Sequence, residues 1–151
     1  MAHPLFEPLV GTWRGHGEGT FPGMPAFAYE EEIRFEDLGG DVAYFQRAWD
    51  PERGTVLHAE AGIWRATGDD AVVASIAQAR RNEVSAGTVR DGLVQLAATA
   101  TSAADDVKPV TASRRWYRID GVALSYEYAM AAGDMTEPVR HLAGTLRRGG
   151  D

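Results

Sequence analysis

The chain has 151 residues, with 15 Lys and Arg against 22 Asp and Glu and a formal net charge of -7. That fits a single domain, residues 1–151, and argues against nucleic acid as a partner, which would need a clustered cationic footprint. An apolar fraction of 44% with 25% charged residues is that of a globular domain and not of a disordered chain, and zero Cys removes disulfides, thiolate nucleophiles, iron–sulfur clusters and Cys-ligated zinc or haem. Any metal would therefore be held by His, carboxylate, Met or Tyr.

Met1 to Pro8 lacks the basic and apolar regions of a secretory signal, and no apolar run approaches the roughly 18 residues of a membrane span. The expected location is the cytoplasm, with no membrane partner. Phe6 to Leu9 is expected to form a short helical turn that plugs one end of the fold. Thr12 to Thr20 follows as a strand with glycine at every second position of Gly15, Gly17 and Gly19, which clears one face for a close neighbour or ligand. In Ala26 to Phe35, Phe27, Tyr29, Ile33 and Phe35 share a face, and Ala28, Glu30, Glu32 and Arg34 share the other. Only Glu31 breaks the apolar face.

The turn Leu38 to Asp41 leads into Val42 to Trp49, and Asp50 to Gly54 is a loop feeding Val56 to Arg65. Further strands are expected at Ala71 to Gln78, Glu83 to Arg90, Leu93 to Thr101, Pro109 to Ile119, Ala123 to Ala131 and Val139 to Arg147. Gly68-Asp69-Asp70, Asp91-Gly92 and Asp120-Gly121 punctuate them. Ala98 to Asp106 looks like a small-residue loop. About ten short, evenly spaced strands suit an up-and-down antiparallel barrel or a sandwich, and a barrel removes exposed edges by closing on itself.

Four histidines are available as ligands or bases. Simple alternation puts His141 on one face with Val139, Ala143 and Thr145, and Leu142 and Leu146 on the other. His58 shares a face with Glu60, Gly62 and Trp64, as a general base pair, a metal site or an exterior charged pair would. The Gly11 to Pro22 segment is not a phosphate loop, because the GxxxxGK[ST] order and a following helix are missing. No GxSxG elbow supports a serine hydrolase. Trp13, Trp49, Trp64 and Trp116 read as core or belt aromatics.

Gly11-x-Trp13-x-Gly15-x-Gly17-x-Gly19-x-Phe21-Pro22 resembles the GxWxGxGxGxYP signature of the nitrobindin family. His58-x-Glu60-x-Gly62-x-Trp64-Arg65, Arg115 to Gly121, and Met130-Ala131-Ala132 followed by His141 to Leu146 and Arg148 resemble its later motifs in the same order. The resemblance implies a compact ten-stranded antiparallel barrel, similar to fatty-acid-binding proteins, that binds one haem b with His141 as proximal iron ligand. It also implies an open opposite side at which ferric haem meets nitric oxide and isomerises peroxynitrite to nitrate. Trp13, Thr20, Gly23, His58 and Arg115 would complete the cofactor site, Arg115 beside a propionate, with a homodimer as one assembly open to the protein.

Two departures from the family pattern stand out. Gly23 replaces the usual Thr, which removes a hydroxyl expected near the haem, and Ala79-Arg80-Arg81-Asn82 replaces a Pro-Thr-Gly turn. Two other functions remain compatible with the residues. One is a carrier of another apolar molecule with His141 as polar anchor. The other is a barrel recruited to a biosynthetic step with His58 and Glu60 as acid and base.

Overall fold

In the computed structural model, which describes residues 1–149, ten strands form one closed antiparallel barrel. They are β1 (Gly11–Phe21), β2 (Met24–Asp37), β3 (Val42–Trp49), β4 (Val56–Ala66), β5 (Ala71–Gln78), β6 (Arg81–Arg90), β7 (Leu93–Ala103), β8 (Val110–Asp120), β9 (Ala123–Ala132) and β10 (Val139–Arg148). Each strand pairs with its neighbours in sequence, and β1 pairs with β10 to close the ring. Among the described residues no sheet edge is left over to template aggregation. β7 runs on to Ala103, so the small residues after Ala98 continue a strand instead of starting a loop.

The expected helical turn at Phe6 to Leu9 is a run of tight turns. Phe6 N–H donates to the His3 carbonyl at 2.8 Å, and the N–H groups of Leu9 and Val10 both donate to the Phe6 carbonyl, at 2.8 and 3.1 Å. Pro4 and Pro8 have no N–H to give, which breaks any helical ladder through this stretch. The plugging role does hold, because Phe6 and Leu9 are fully buried in the main core.

Alternation along the strands sorts the barrel interior into three levels. Trp13, Phe35, Tyr44, Trp64, Tyr117 and Leu124 fill the closed end as one apolar cluster with Phe6 and Leu9. One step along the same strands, every buried polar side chain falls into a belt: Glu31, Gln46, Glu60, Glu83, Ser85, Ser113 and Arg115. Beyond the belt, Val110, Tyr128 and Met130 form a second apolar cluster, packed against Phe21 and Leu142.

The glycine alternation of β1 faces inward, where the rings of β2 take the space that side chains would have filled. A Cβ on Gly17 would sit 2.5 Å from the Tyr29 hydroxyl and 2.6 Å from the Ala143 carbonyl oxygen of β10. Backbone cannot retreat without breaking the β1–β10 seam. Gly17→Ala is therefore expected to cost about 2–3 kcal/mol through overpacking, a fall of roughly 5–10 °C in Tm for a chain of this size. Thermal unfolding followed by circular dichroism measures it, and an unchanged Tm would show that the seam yields.

Candidate functional site

Above the polar belt the barrel opens into a cavity of about 360 Å³, within the range of small-molecule sites. Met24, Phe27, Leu57, Met130 and Leu142 give it apolar walls, and His58, Arg81 and His141 give it basic nitrogens. Larger depressions of about 790, 680 and 490 Å³ lie on the wall across β4–β7, across β2–β5 and around β1, β9 and β10, and of these only the last is lined by a histidine, His16.

His141 reaches this cavity through an irregularity in β10. The pairing with β9 runs Arg140 to Ala129 and then Leu142 to Tyr128, so His141 is the extra residue of a β-bulge. A bulge puts two successive side chains on nearly the same side. His141 and Leu142 both line the cavity, while Ala143 and Thr145 line a depression on the exterior. This corrects the face expected from alternation: His141 goes with Leu142 and Leu146, and not with Ala143 and Thr145.

The imidazole is held firmly. Its Nδ1 lies 2.9 Å from the Thr20 carbonyl oxygen, which can only accept, so Nδ1 carries the proton and Nε2 keeps a bare lone pair. Phe21, Phe27 and Tyr128 surround the ring at centroid distances of 5.3, 6.4 and 6.2 Å. Burial pushes the His141 pKa down and outweighs the upward pull of the Thr20 carbonyl, so the ring is neutral at pH 7.

His58 and Glu60 also face inward, which settles them as interior residues of β4. His58 Nε2 lies 3.0 Å from Glu60 Oε2. Burial alone would raise the Glu60 pKa, but the Arg115 guanidinium and His58 outweigh it and hold the carboxyl well below the usual carboxylate range. Glu60 Oε1 accepts from Arg115 Nη1 at 2.5 Å and from the Tyr44 hydroxyl at 2.6 Å. Arg115 also donates to Glu83 through Nε, at 3.1 Å, and through Nη2. Ser85 and Ser113 occupy the other Glu83 oxygen at 2.6 and 3.0 Å.

The structure thus brings His141, His58 and the backbone of Thr20 together and separates the other expected site residues. Arg115 is buried in the belt, 4.6 Å beneath the Tyr128 ring, with both carboxylate partners in place. Gly23 completes the Pro22-Gly23 turn between β1 and β2 with φ +82, the left-handed backbone that this position of a type II turn requires. Its surroundings are open. Trp13 belongs to the closed end, where its indole N–H donates to the Leu9 carbonyl at 2.8 Å and Arg148 covers the ring at 4.3 Å. Arg81, unforeseen in the sequence, stands at the cavity wall and donates to the Lys108 carbonyl at 3.2 and 2.9 Å.

The profile of a family described as THAP4-like, heme-binding beta-barrel domain matches residues 3–148. The chain belongs to this family. It is 40% identical over 143 residues to peroxynitrite isomerase 1 of Rhodococcus jostii, covering 93% of this chain and 81% of that protein. It is 37% identical over 156 residues to peroxynitrite isomerase 1 of Mycolicibacterium paratuberculosis, covering 97% and 96%. The fold superposes on the crystal structure of Rv2717c from M. tuberculosis with a TM-score of 0.89 at 31% identity, covering 99% of this chain and all of that one.

The residues present fit the haem that the family binds. A neutral imidazole with Nδ1–H fixed to a carbonyl is a normal haem ligand with its tautomer already set, and the apolar walls suit the two faces of a porphyrin.

Replacing Arg115 by Met leaves Glu60 and Glu83 buried without a cation, an expected loss of about 3–5 kcal/mol. Without the guanidinium, burial, the largest influence on Glu60, raises its folded-state pKa above the unfolded value, so stability falls as pH rises. The deficit of Arg115→Met against wild type is expected to be larger at pH 8 than at pH 5 in urea unfolding; an equal deficit at both would contradict the ion-pair assignment.

Proposed function

We propose that this protein binds one haem b through His141 and isomerises peroxynitrite to nitrate, with nitric oxide as a second small-molecule ligand. The observation that carries this reading is the His141 ring, neutral, bulged into an apolar cavity and held by Thr20 so that Nε2 is free for iron. When bound, ferric haem supplies an open coordination position at which peroxynitrite can be rearranged without net change in protons or electrons.

The chain's own residues do the rest. Phe27, Met130 and Leu142 exclude water from the porphyrin faces, which strengthens every electrostatic interaction inside. Arg81 takes the propionate-binding role that the family resemblance implied for Arg115, because its guanidinium stands at the cavity wall whereas Arg115 is sealed beneath Tyr128. His58, tied to Glu60, offers a polar group on the cavity wall. Glu60 is unsuited to acid–base catalysis, since it is ionised and both oxygens are engaged; this disfavours a dedicated biosynthetic step using the His58–Glu60 pair.

Haemin titration of the full chain, followed by absorbance, tests the reading. Wild type is expected to give a saturable one-to-one Soret shift that His141→Ala abolishes. Arg81→Ala is expected to weaken haemin roughly fivefold, the effect of losing about 1 kcal/mol from a partly exposed ion pair. The loaded wild type should then speed the decay of peroxynitrite to nitrate. Equal behaviour of wild type and His141→Ala would sink the haem assignment and leave a carrier of another apolar molecule.

A further inference from the structure

Glu31 is an interior acid to which haem binding gives no role. It is fully buried on β2 at the level of the polar belt. Its Oε2 accepts from Gln46 Nε2 at 2.8 Å and from the Tyr126 hydroxyl at 2.8 Å, and its Oε1 has no partner. Gly144 of β10 lies against that bare oxygen, with no side chain to offer it a proton. The Tyr126 hydroxyl is in turn 2.6 Å from the Tyr29 hydroxyl, and Tyr29 and Gln46 both line the cavity. A hydrogen-bonded path therefore runs from Glu31 through two phenols to the cavity wall.

The direction of that path depends on whether Glu31 carries a proton, because each phenol has one O–H to give. When Glu31 is ionised, Tyr126 must donate to it and accepts from Tyr29, so the Tyr29 proton is spent inside the wall. When Glu31 is a neutral acid, its own O–H can donate to Tyr126, Tyr126 to Tyr29, and Tyr29 outward. The other acceptor within reach of Tyr29 is the Ala143 carbonyl at 3.4 Å, the outer limit of a hydrogen bond. Both phenols are pushed well above their usual pKa by burial and by Glu31, so they stay protonated throughout.

We propose that the neutral form of Glu31 turns Tyr29 into a hydrogen-bond donor for an anionic group in the cavity, so that anion binding takes up one proton at Glu31. The only covalent change is the O–H bond formed at the carboxyl with a proton from solvent. Burial raises the Glu31 pKa, Gln46 and Tyr126 lower it, and the balance stands at about 7. The charged groups facing it are Glu60, which disfavours its ionisation, and His58, which favours it. Arg115 from β8 is bound to Glu60 and Glu83, and β1 and β10 present Gly15 and Gly144 on this side. The inference needs the cavity and an anion, and stands apart from the haem assignment.

The test is fluorescence titration of the full chain with 8-anilinonaphthalene-1-sulfonate, an apolar anion, with Leu57→Trp at the cavity wall to locate it. If only the protonated form of Glu31 binds it well, the Kd rises about tenfold between pH 6 and pH 8, and about half a proton is taken up per anion at pH 7. Glu31→Gln is expected to show a flat profile without proton uptake, and Tyr29→Phe to lose the pH 6 advantage. A tenfold profile retained in Glu31→Gln would assign the effect to His58 or His141 and overturn the proposal. Absence of anion binding in wild type would overturn it too. Should Glu31→Gln fail to fold, carbon-13 NMR of the wild-type glutamate carboxyls with and without the anion decides: a Glu31 midpoint that moves up on anion binding upholds the proposal, and one that stays in place rejects it.

Discussion

The interior of this barrel is organised around the Arg115 guanidinium clamped between Glu60 and Glu83. Those three side chains come from β8, β4 and β6, and together they divide an apolar closed end from an apolar cavity. Two buried carboxylates against one cation leave negative charge unbalanced, and the hydroxyls of Tyr44, Ser85 and Ser113 absorb it by donating to the remaining lone pairs. Tyr128 then lies over the guanidinium and presents its other surroundings to the cavity. Packed hydrophobic residues in place of a buried ion pair are often as stabilising or more so, so stability alone does not account for an ionic belt. What the ionic belt provides is a rigid, polar floor under a pocket that must stay open.

Rigidity at the floor is matched by an adjustment at the rim. β10 runs in regular register with β1 from Arg148 to Leu142, and its pairing with β9 slips at His141. The slip gives the last strand one additional inward residue where the cavity begins. Thr20, the neighbour of that residue across the seam, fixes the imidazole through its backbone and not its side chain. Any residue at position 20 has a carbonyl, so the bond that orients His141 rests on the closure of the barrel, and the Thr20 hydroxyl adds a long bond to the Arg140 carbonyl at 3.4 Å.

Most strand ends were readable because turn chemistry marks them. Asp91-Gly92 and Gly121 adopt the positive φ that their composition foretells, and β3 and β5 begin and end where alternation starts and stops. Site residues on regular strands were readable to the same degree: His58 and Glu60 keep the face of Trp64. The bulge was not legible, since nothing in His141 or its neighbours distinguishes a strand that alternates from one that slips once. Nor was the placement of Arg115 beneath the cavity and of Arg81 at its wall, because the depth of a side chain along the barrel axis depends on register between strands. Glu31 did leave a signal, as the lone acid on an apolar face, but the phenols that make sense of it lie on β2 and across the barrel on β9.

The cavity must admit negative charge into a protein that already carries -7. Beyond a Debye length of about 8 Å that charge is largely screened, so the groups at the wall decide. Arg81 is the one Arg or Lys among the described residues lining the cavity, and the charge of Arg115 is committed to two carboxylates below. A further interior carboxylate in this setting would repel an anion at close range. Holding Glu31 as a neutral acid removes that repulsion, and the phenol path converts the stored proton into a donor at the wall. The pocket thus gains polarity for an anion without gaining a cation, which would itself need burial and a counter-charge.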